Sequence, residues 1–359
     1  MRALFVNRPD AHTSYGGDTA QMEHTAEALR ALGVEVVVSV GAPSYEQIER
    51  ADIVHLVNLQ TPAFTHAQLL RAKQAGKKVA VSTIWWDFAA DDVFQTSRKW
   101  GALRELFGTD TVRPILERRM RKVLFESRAL HRAILRGADL LLPNSESEAA
   151  HLRALTPFET RVHVVPNGVA TGALEDNAAA DQLLSSLSLG GGQGEGPINK
   201  SPFILIAARV EPVKNQLAYV RAVRPLPVVC AGAITQPYGR DCESAGALLL
   251  GRQDPAVVRA LYRRAALHAL PSLRETPGLA SLEAAAAGCR VLSTEVGSAR
   301  DYFGDMAWYC DPHSARSMLR ATEGALARPP APGLAEHVKQ NFTWPIAAQE
   351  TLRGYESVL

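Results

Sequence analysis

The stretch LHALPSLRETPGLASLEAAAAG, residues 267–288, contains the local signals for a strand, a loop and a helix in that order. The apolar LHAL predicts a buried strand, and Gly278 predicts a tight turn at the start of a helix. The alanine run favours the helix, and Gly288 predicts its end. A buried strand followed at once by a helix is the repeating part of a doubly wound α/β sheet.

The same alternation extends outward through the chain in both directions. Amphipathic segments such as Gly17–Leu32 separate the apolar runs, which predicts parallel sheets covered by helices on both faces and hence two Rossmann-like doubly wound domains. Strands are predicted at 3–7, 34–40, 53–58, 78–84, 139–143 and 162–166, and then at 203–210, 228–231, 248–250, 267–271, 290–294 and 308–310.

The length agrees with two domains. At about 150 residues per domain, 359 residues suffice for two hydrophobic cores. The glycine-rich LSSLSLGGGQGEGPINKS, residues 184–201, is typical of a flexible connection. We therefore expect a first domain over 1–185, a linker over 186–200 and a second domain from 201 onward.

Composition excludes several classes of protein. Lys and Arg number 39 against 37 Asp and Glu, so the basic excess typical of nucleic-acid binding is absent. No apolar run approaches the ~20 residues of a membrane span, and MRALFVNRPD predicts a first strand rather than a signal peptide. We therefore expect a soluble cytoplasmic protein. Four cysteines without a CxxC pair predict buried reduced thiols rather than a metal site or disulfides.

Two carboxylates accompany the helix that follows the strand at 267. Glu275 precedes the predicted helix start, and Glu283 lies more than a turn inside it. The first amides of a helix and its dipole attract an anion at the carboxyl end of a strand. The two glutamates can therefore bracket a ligand whose anionic group rests on the helix start and whose hydroxyls reach the carboxylates.

Two cations follow the first strand of the second half. AARVEPVKNQ, residues 207–216, places Arg209 and Lys214 on one strand-to-helix loop. A guanidinium and an ammonium suit a diphosphate. Because no aspartate cluster accompanies them, we expect no metal and no other cofactor.

With these motifs the sequence resembles the retaining GT-B glycosyltransferases of family 4, whose glutamate-x7-glutamate motif stands here as ETPGLASLEAAAAG. Further landmarks of that family follow in the expected order along nearly the whole chain. They are YGGDTAQ at 15–21, PNSESE at 143–148, VVPNGV at 164–169, RVEPVKN at 209–215 and LLGRQDPAVVRALYRRAALHALPS at 249–272.

The resemblance implies two Rossmann-like domains that face a central cleft. FTWPIAAQETLRGYESVL resembles the C-terminal helix that returns to the first domain in that family, so residues 344–359 would join 1–185 and the second domain would end at 343. It also implies transfer of a hexose-type sugar from a UDP- or GDP-sugar to an acceptor hydroxyl with retention of configuration. The leaving phosphate would take the proton of the acceptor.

The resemblance also implies roles for individual residues. Arg209 and Lys214 would hold the donor diphosphate, Glu283 the ribose and Glu275 the donor sugar. Catalytic roles would fall to Glu275, Arg209, Lys214 and Asp87. Donor contacts would come from Gly16, Gly17, Arg209, Lys214, Arg252, Gln253, Glu275, Thr276, Pro277, Gly278, Leu279 and Glu283.

The chain departs from the family pattern after the fourth strand. Where the family has a histidine, VSTIWWDF at 81–88 has none. Asp87 would replace part of that function, or Trp85 and Trp86 would form a wall on which an acceptor stacks, with His12 as a further acceptor residue. Pro277 also stands in the glutamate loop, where it cannot donate an N–H.

A basic amphipathic helix is predicted over 111–136, with eight basic residues against two acidic ones and a local charge of +6. It could bind an anionic membrane surface or a lipid-linked acceptor, or it could pack on its own domain with a solvated basic face. The first alternative would place the protein at the inner face of the cytoplasmic membrane.

The expected function is glycosyl transfer to a saccharide, lipid-linked or protein acceptor in bacterial surface polysaccharide or glycoconjugate synthesis. Two alternatives stay open. One is a sugar-nucleotide epimerase or hydrolase of the same fold. The other is a catalytically silent subunit that binds sugar nucleotides, which the missing histidine suggests.

Overall fold

The computed structural model describes residues 1–86, 103, 107–170 and 202–359. The chain forms two compact units, the first comprising Met1–Gly168 with Thr343–Leu359 and the second Val169–Phe342. The linker predicted over 186–200 lies outside the described residues, so that prediction is untested. Among the described residues, Val169 already belongs to the second unit.

The first unit is built on a parallel sheet in the order β2-β1-β3-β4-β5-β6. Its strands are β1 (Arg2–Asn7), β2 (Glu35–Val40), β3 (Ile53–Val57), β4 (Lys78–Ser82), β5 (Leu140–Leu142) and β6 (Arg161–Val162). Its described helices are α1 (Gly17–Ala31), α2 (Tyr45–Arg50), α3 (Pro62–Gln74), α4 (Thr109–Gly137), α5 (Glu146–Leu155) and, at the C terminus of the chain, α13 (Trp344–Glu356).

The second unit has a parallel sheet in the order β12-β11-β10-β7-β8-β9. Its strands are β7 (Ile204–Ala207), β8 (Val228–Ala231), β9 (Ala247–Gly251), β10 (Leu267–Leu270), β11 (Val291–Thr294) and β12 (Trp308–Cys310). Its described helices are α6 (Gln216–Val223), α7 (Tyr238–Ser244), α8 (Pro255–Arg264), α9 (Leu279–Ala286), α10 (Ala299–Phe303), α11 (Ala315–Leu326) and α12 (Leu334–Asn341).

The predicted fold class is confirmed, and each of the twelve predicted strands is present. The largest difference is β6, which covers two residues instead of the predicted 162–166. The neighbouring strand β5 ends before Pro143, which has no N–H for the ladder, although its carbonyl still accepts the Val165 N–H at 2.8 Å.

The central strands are apolar throughout because their alternate side chains are buried on opposite faces of the sheet. In β7, Leu205 and Ala207 join one hydrophobic cluster, while Ile204 and Ile206 join another. Successive side chains of a strand point to opposite faces, so both faces of the second sheet are buried. All four cysteines are buried and unpaired, as predicted, and burial raises the pKa of the Cys289 thiol to about 12.

Helix α13 belongs to the first unit although its residues follow the second unit in sequence. Its Trp344 ring stacks on His24 of α1 with the ring centres 4.8 Å apart. Tyr355 shares a 2.5 Å hydrogen bond with Nδ1 of His55, whose Nε2 is hydrogen-bonded to Ser82 at 2.8 Å. Burial lowers the pKa of His55 to about 3, so this histidine is neutral.

The strand orders place one switch point in each sheet. In the first sheet β1 lies between β2 and β3, and in the second β7 lies between β8 and β10. Neighbouring connections leave in opposite directions at β1/β3 and at β7/β10, which opens a crevice at the carboxyl ends of these strands. The loops that follow β7 and β10 are those that contain the cations and glutamates singled out in the sequence.

Candidate active site

Lys214 and Glu275 meet at the switch point of the second sheet. Lys214 ends a 3₁₀ turn, Pro212–Lys214, after β7, and Glu275 lies in the loop after β10. Lys214 Nζ is 2.8 Å from Glu275 Oε2, and the side chains are only 20% and 10% exposed. The two predicted residues, 61 positions apart in the chain, therefore form a partly buried ion pair.

Neighbouring groups hold this ion pair in place. The Ser272 hydroxyl donates to the same carboxylate oxygen of Glu275 at 2.8 Å, and the Leu273 N–H donates to the Val213 carbonyl at 2.9 Å. Asn215, in the left-handed region with φ +60°, donates from its amide to the Pro271 and Pro312 carbonyls at 3.2 and 2.7 Å. Sequence reasoning missed Ser272 and Asn215. The only signal for them was their position beside the predicted residues.

The backbone of Glu275 is held against the loop that follows β11. Its N–H donates to the Val296 carbonyl, and its carbonyl accepts from the Ser298 N–H, each at 3.1 Å. A Cβ on Gly297 would lie 1.8 Å from the Glu275 carbonyl oxygen. Only glycine permits this approach, and the carboxylate is consequently presented from a backbone bonded on both sides.

Helix α9 begins beside Glu275. Gly278 precedes it with φ +89°, and an added Cβ there would lie 2.9 Å from Glu275 Cγ. The α-helical pattern leaves the first amides of α9, beginning with Leu279, without partners inside the helix. Pro277 is buried and has no N–H, so the amides of this loop begin at Gly278. The predicted anion site is thus placed next to the Lys214–Glu275 pair.

Glu283 lies one turn further along α9. The Tyr262 hydroxyl donates to its Oε2 at 3.2 Å. Part of the Glu283 residue is exposed to solvent. Protein atoms around its carboxylate exclude water from it and thereby raise its pKa above the ordinary value. The carboxylate is thereby fixed on one side and open on the other, as an anchor for hydroxyl groups requires.

Arg209 is the most exposed of the predicted donor cations on the β7 loop. Its Nη2 is 2.9 Å from Glu211 Oε1, and its carbonyl accepts from the Gln216 side chain at 2.7 Å. Arg252 and Gln253 follow β9, the edge strand two positions from β7, and Gln253 donates to the Leu250 carbonyl at 2.6 Å. A ligand at β7/β10 would have to extend along the sheet to reach them.

In the first unit, the predicted Gly16 immediately precedes α1, and Gly17 is the first residue of that helix. The Arg8 Nε donates to Asp18 Oδ2 at 3.0 Å, and the Asn58 amide donates to the same oxygen at 2.8 Å. This cluster joins the loops after β1 and β3, the switch point of the first sheet. Gly16 lies against it, because an added Cβ would be 2.9 Å from Asp18 Oδ1. His12 is exposed, with Nε2 3.4 Å from Glu23.

The tryptophans after β4 have different environments. Trp85 is 5% exposed and packs near the rings of His131 and His151, at 5.2 and 5.3 Å. Its ring is part of the core and cannot serve as the predicted acceptor wall. Trp86 is half-buried and stacks on His151 at 4.4 Å. Asp87 lies outside the described residues.

The described residues contain neither a cluster of metal ligands nor a helix that could span a membrane. Among residues 1–86, 107–170 and 202–359, no group of three or more His, Cys, Asp or Glu side chains is placed to hold a metal ion. In the same part of the chain, no helix is both long and apolar enough to cross a membrane.

Comparison with known proteins matches both units. The "Glycosyl transferase 4-like domain" family matches residues 16–168, and "Glycosyl transferases group 1" matches residues 193–342. Among curated proteins, D-inositol 3-phosphate glycosyltransferase of Xylanimonas cellulosilytica is 31% identical over 62% of this chain and 58% of its own length. That of Gordonia bronchialis is 29% identical over 62% of this chain and 53% of its own length. The chain therefore spans little more than half of these relatives.

Solved structures agree over the full length. Sucrose-phosphate synthase from Thermosynechococcus elongatus has a TM-score of 0.72 at 16% identity, covering 99% of each chain. Anabaena HepE in complex with UDP-glucose has a TM-score of 0.71 at 13% identity, covering 99% of this chain and all of that one. At such identities the likeness concerns the fold. With two family models matched in order on two doubly wound sheets, the chain belongs to the group 1, family-4-type glycosyltransferases of GT-B fold.

Proposed function

We propose that this glycosyltransferase moves a hexose-type sugar from a UDP- or GDP-sugar to an acceptor hydroxyl with retention of configuration. The observation that carries the proposal is the Lys214–Glu275 pair, 2.8 Å apart at the switch point and adjacent to the start of α9. One group suits a phosphate, the other suits a sugar hydroxyl, and the helix start beside Glu275 supplies amides.

The chemistry needs stabilisation of a leaving group. As the bond between the sugar C1 and the phosphate oxygen breaks, its electron pair stays on the nucleoside diphosphate. Lys214, Arg209 and the first amides of α9 would stabilise that charge from fixed positions. The acceptor oxygen forms the new bond to C1, and the leaving phosphate accepts its proton. Glu275 would orient the sugar, and Glu283 the ribose hydroxyls.

The donor class is supported from two directions. The residues suit a nucleoside diphosphate, and the structurally similar HepE is in complex with UDP and with UDP-glucose. The curated relatives are named as D-inositol 3-phosphate glycosyltransferases, which favours a polar, hydroxyl-rich acceptor. We place the reaction in the cytoplasm, in synthesis of bacterial surface polysaccharide or glycoconjugate.

A binding and product experiment tests the proposal. Calorimetry with UDP, GDP, ADP and dTDP should show one preferred nucleotide, and NMR of the product formed from the matching sugar nucleotide should show the anomeric configuration of the donor. A product of the opposite anomeric configuration would contradict the proposed retention. Binding without transfer across a broad acceptor panel would instead favour a silent binding subunit, and hydrolysis or epimerisation alone would favour the remaining alternative.

We also propose that no metal takes part, because Arg209, Lys214 and the α9 amides suffice to neutralise a diphosphate. Transfer should then be unchanged, within about twofold, after EDTA treatment and removal of the chelator. Activity that is lost with EDTA and restored by Mn²⁺ would contradict this part of the proposal.

A membrane contact through α4 is a further part of the proposal. Ile115 is 53% exposed, Phe107 just before the helix is 60% exposed, and Arg118 and Arg119 are exposed as well. Ile115, Arg118 and Arg119 lie on one face of the helix because of their spacing. Exposed apolar side chains beside arginines are the combination that anionic lipid surfaces attract.

A further inference from the structure

Glu148 has a fully buried carboxylate that takes no part in the proposed reaction. It lies in the first turn of α5 and is 0% exposed. Its N–H donates to the Ser145 hydroxyl at 3.0 Å, which caps the helix and fixes the backbone from which the carboxylate extends. A buried carboxylate is costly unless hydrogen bonds compensate it, so its partners are informative.

Those partners come from two loops at the carboxyl edge of the first sheet. Oε1 accepts the Thr83 hydroxyl and the Trp85 N–H, the latter at 2.8 Å, both from the loop after β4. Oε2 accepts the Asn144 N–H, from the loop after β5, at 2.7 Å. One side chain therefore ties together the two loops that follow neighbouring strands.

The β4 loop needs such a restraint. Ile84, between the two residues that donate to Oε1, has φ +41°, in the left-handed region that β-branched residues avoid. A strained backbone persists only where surrounding contacts determine it. The donors on either side of Ile84 belong to Thr83 and Trp85, and both bond to Oε1 of Glu148. These two hydrogen bonds hold Ile84 in its strained conformation.

The restrained loop leads directly to Trp86. Its ring stacks on His151, which lies three residues after Glu148 on α5, with an interplanar angle of 5°. Helix α5 therefore contacts the loop twice, through the carboxylate before Trp86 and through the imidazole under its ring. With Trp85 in the core, Trp86 is the ring of this loop that remains available for stacking.

We propose that Glu148 is a positioning residue for acceptor binding, holding the 83–86 loop so that Trp86 is presented in one orientation. This rests on the proposed function, since Trp86 matters only if the first unit receives the acceptor. Glu148 itself touches no substrate. It acts through the loop, and the donor residues of the second unit do not depend on it.

Hydrogen exchange of the full-length protein tests the restraint without any ligand. In Glu148→Gln, an NH2 group replaces one of the two accepting oxygens, so the donors of at least one loop lose their acceptor, and exchange in peptides covering 83–86, 143–145 or both should accelerate at least tenfold. Thr83→Val, which removes one donor and leaves the carboxylate, should accelerate exchange at 83–86 to a smaller extent. The control Glu146→Gln changes an exposed glutamate in the same helical turn and should match the wild type.

A second readout separates positioning from general destabilisation. With UDP-glucose as donor probe, hydrolysis by Glu148→Gln should stay within twofold of the wild type, while the KM for the acceptor found with the wild type rises at least fivefold at similar kcat. Wild-type exchange at both loops, acceleration across the whole first unit, or an equal fall in hydrolysis and transfer would overturn the proposal. If the wild type neither transfers nor hydrolyses with any UDP- or GDP-sugar, the proposed function fails while the exchange result still decides the restraint.

Discussion

At the residue scale, the ion pair between Lys214 and Glu275 joins the two residues to which the proposed function assigns different groups of the donor. The pair is sheltered, so water screens it less than a surface pair. A diphosphate that binds Lys214 must compete with Glu275, which then becomes free to accept a hydroxyl of the sugar. Binding of the donor and orientation of its sugar would thereby be coupled.

Opposite substitutions in the pair should have opposite effects on nucleotide affinity. Lys214→Ala should weaken UDP binding about tenfold or more, because a phosphate contact worth ~1.4 kcal/mol is lost. Glu275→Gln should leave UDP binding equal or tighter, because Lys214 no longer has a competing carboxylate, yet it should lower transfer at least about 100-fold. Calorimetry and initial rates measure both effects.

Lys339→Ala, an exposed lysine on α12, is the matched control and should behave as the wild type. Equal losses of UDP affinity in Lys214→Ala and Glu275→Gln would contradict the competition.

The buried carboxyl of Glu148 should make the free energy of unfolding depend on pH. Burial raises the pKa of Glu148 to about 7, from an ordinary 4.5. Between these pH values the folded protein retains a proton that the unfolded chain has released, so this residue's contribution to the free energy of unfolding falls as pH rises. From pH 5 to 7 the wild type should lose about 2 kcal/mol relative to Glu148→Gln, which has no proton to titrate.

Urea unfolding in a Trp308→Phe background measures this difference, since the other tryptophans that the structure describes, Trp85, Trp86 and Trp344, lie in the first unit. Glu146→Gln should follow the wild type. A difference between the wild type and Glu148→Gln that stays constant with pH would show that the residue does not titrate in this range.

At the scale of elements, periodicity identified the strands and the long basic helix, but not the surroundings of individual side chains. Trp85 and Trp86 are adjacent and identical in type, yet Trp85 is in the core and Trp86 is half-buried. Only the path of the loop after β4, bonded to Glu148, assigns them. In α4, the pattern predicted a helix over 111–136, and the observed helix covers Thr109–Gly137.

The exposed face of α4 yields a prediction about membranes. Arg118→Gln with Arg119→Gln should weaken binding to vesicles containing phosphatidylglycerol by about 2 kcal/mol, roughly thirtyfold, because each arginine contributes about 1 kcal/mol near an anionic surface. Sedimentation of protein with vesicles measures the partition. Arg316→Gln with Arg320→Gln, two exposed arginines on α11, is the control of equal charge change and should bind as the wild type does.

Vesicles of phosphatidylcholine alone should bind neither the wild type nor either of the two double variants. Equal binding of all variants to anionic vesicles would leave α4 with a solvated basic face and no lipid contact.

At the scale of the whole molecule, the two sheets have the same kind of switch point but place different side chains there. Each presents loops at a switch point, with Arg8, Asp18 and Asn58 bonded together in the first unit and Lys214 bonded to Glu275 in the second. The units are separate in their cores but not in sequence, since α13 returns to the first unit.

Deletion of residues 343–359 should therefore damage the units unequally. The first unit loses buried Trp344 and Tyr355, each worth about 1.5–3 kcal/mol, which is a large part of a typical stability of 5–15 kcal/mol. Hydrogen exchange should show lost protection across Met1–Gly168 while Val169–Phe342 stays protected and still binds UDP. Equal loss of protection in both units would contradict the division.

The sequence by itself determined the two doubly wound sheets, the twelve strands, the glycine at the start of α9 and the candidate ligand groups Arg209, Lys214, Glu275 and Glu283. These follow from local signals, since hydrophobic periodicity, turn residues and motif spacing are properties of neighbouring positions. The tertiary structure alone decided that Lys214 pairs with Glu275, that Ser272 and Asn215 support them, that Trp85 is buried, and that Glu148 ties two loops together. Those relations join residues up to 97 positions apart, and they depend on the order of strands in a sheet, which local patterns do not encode.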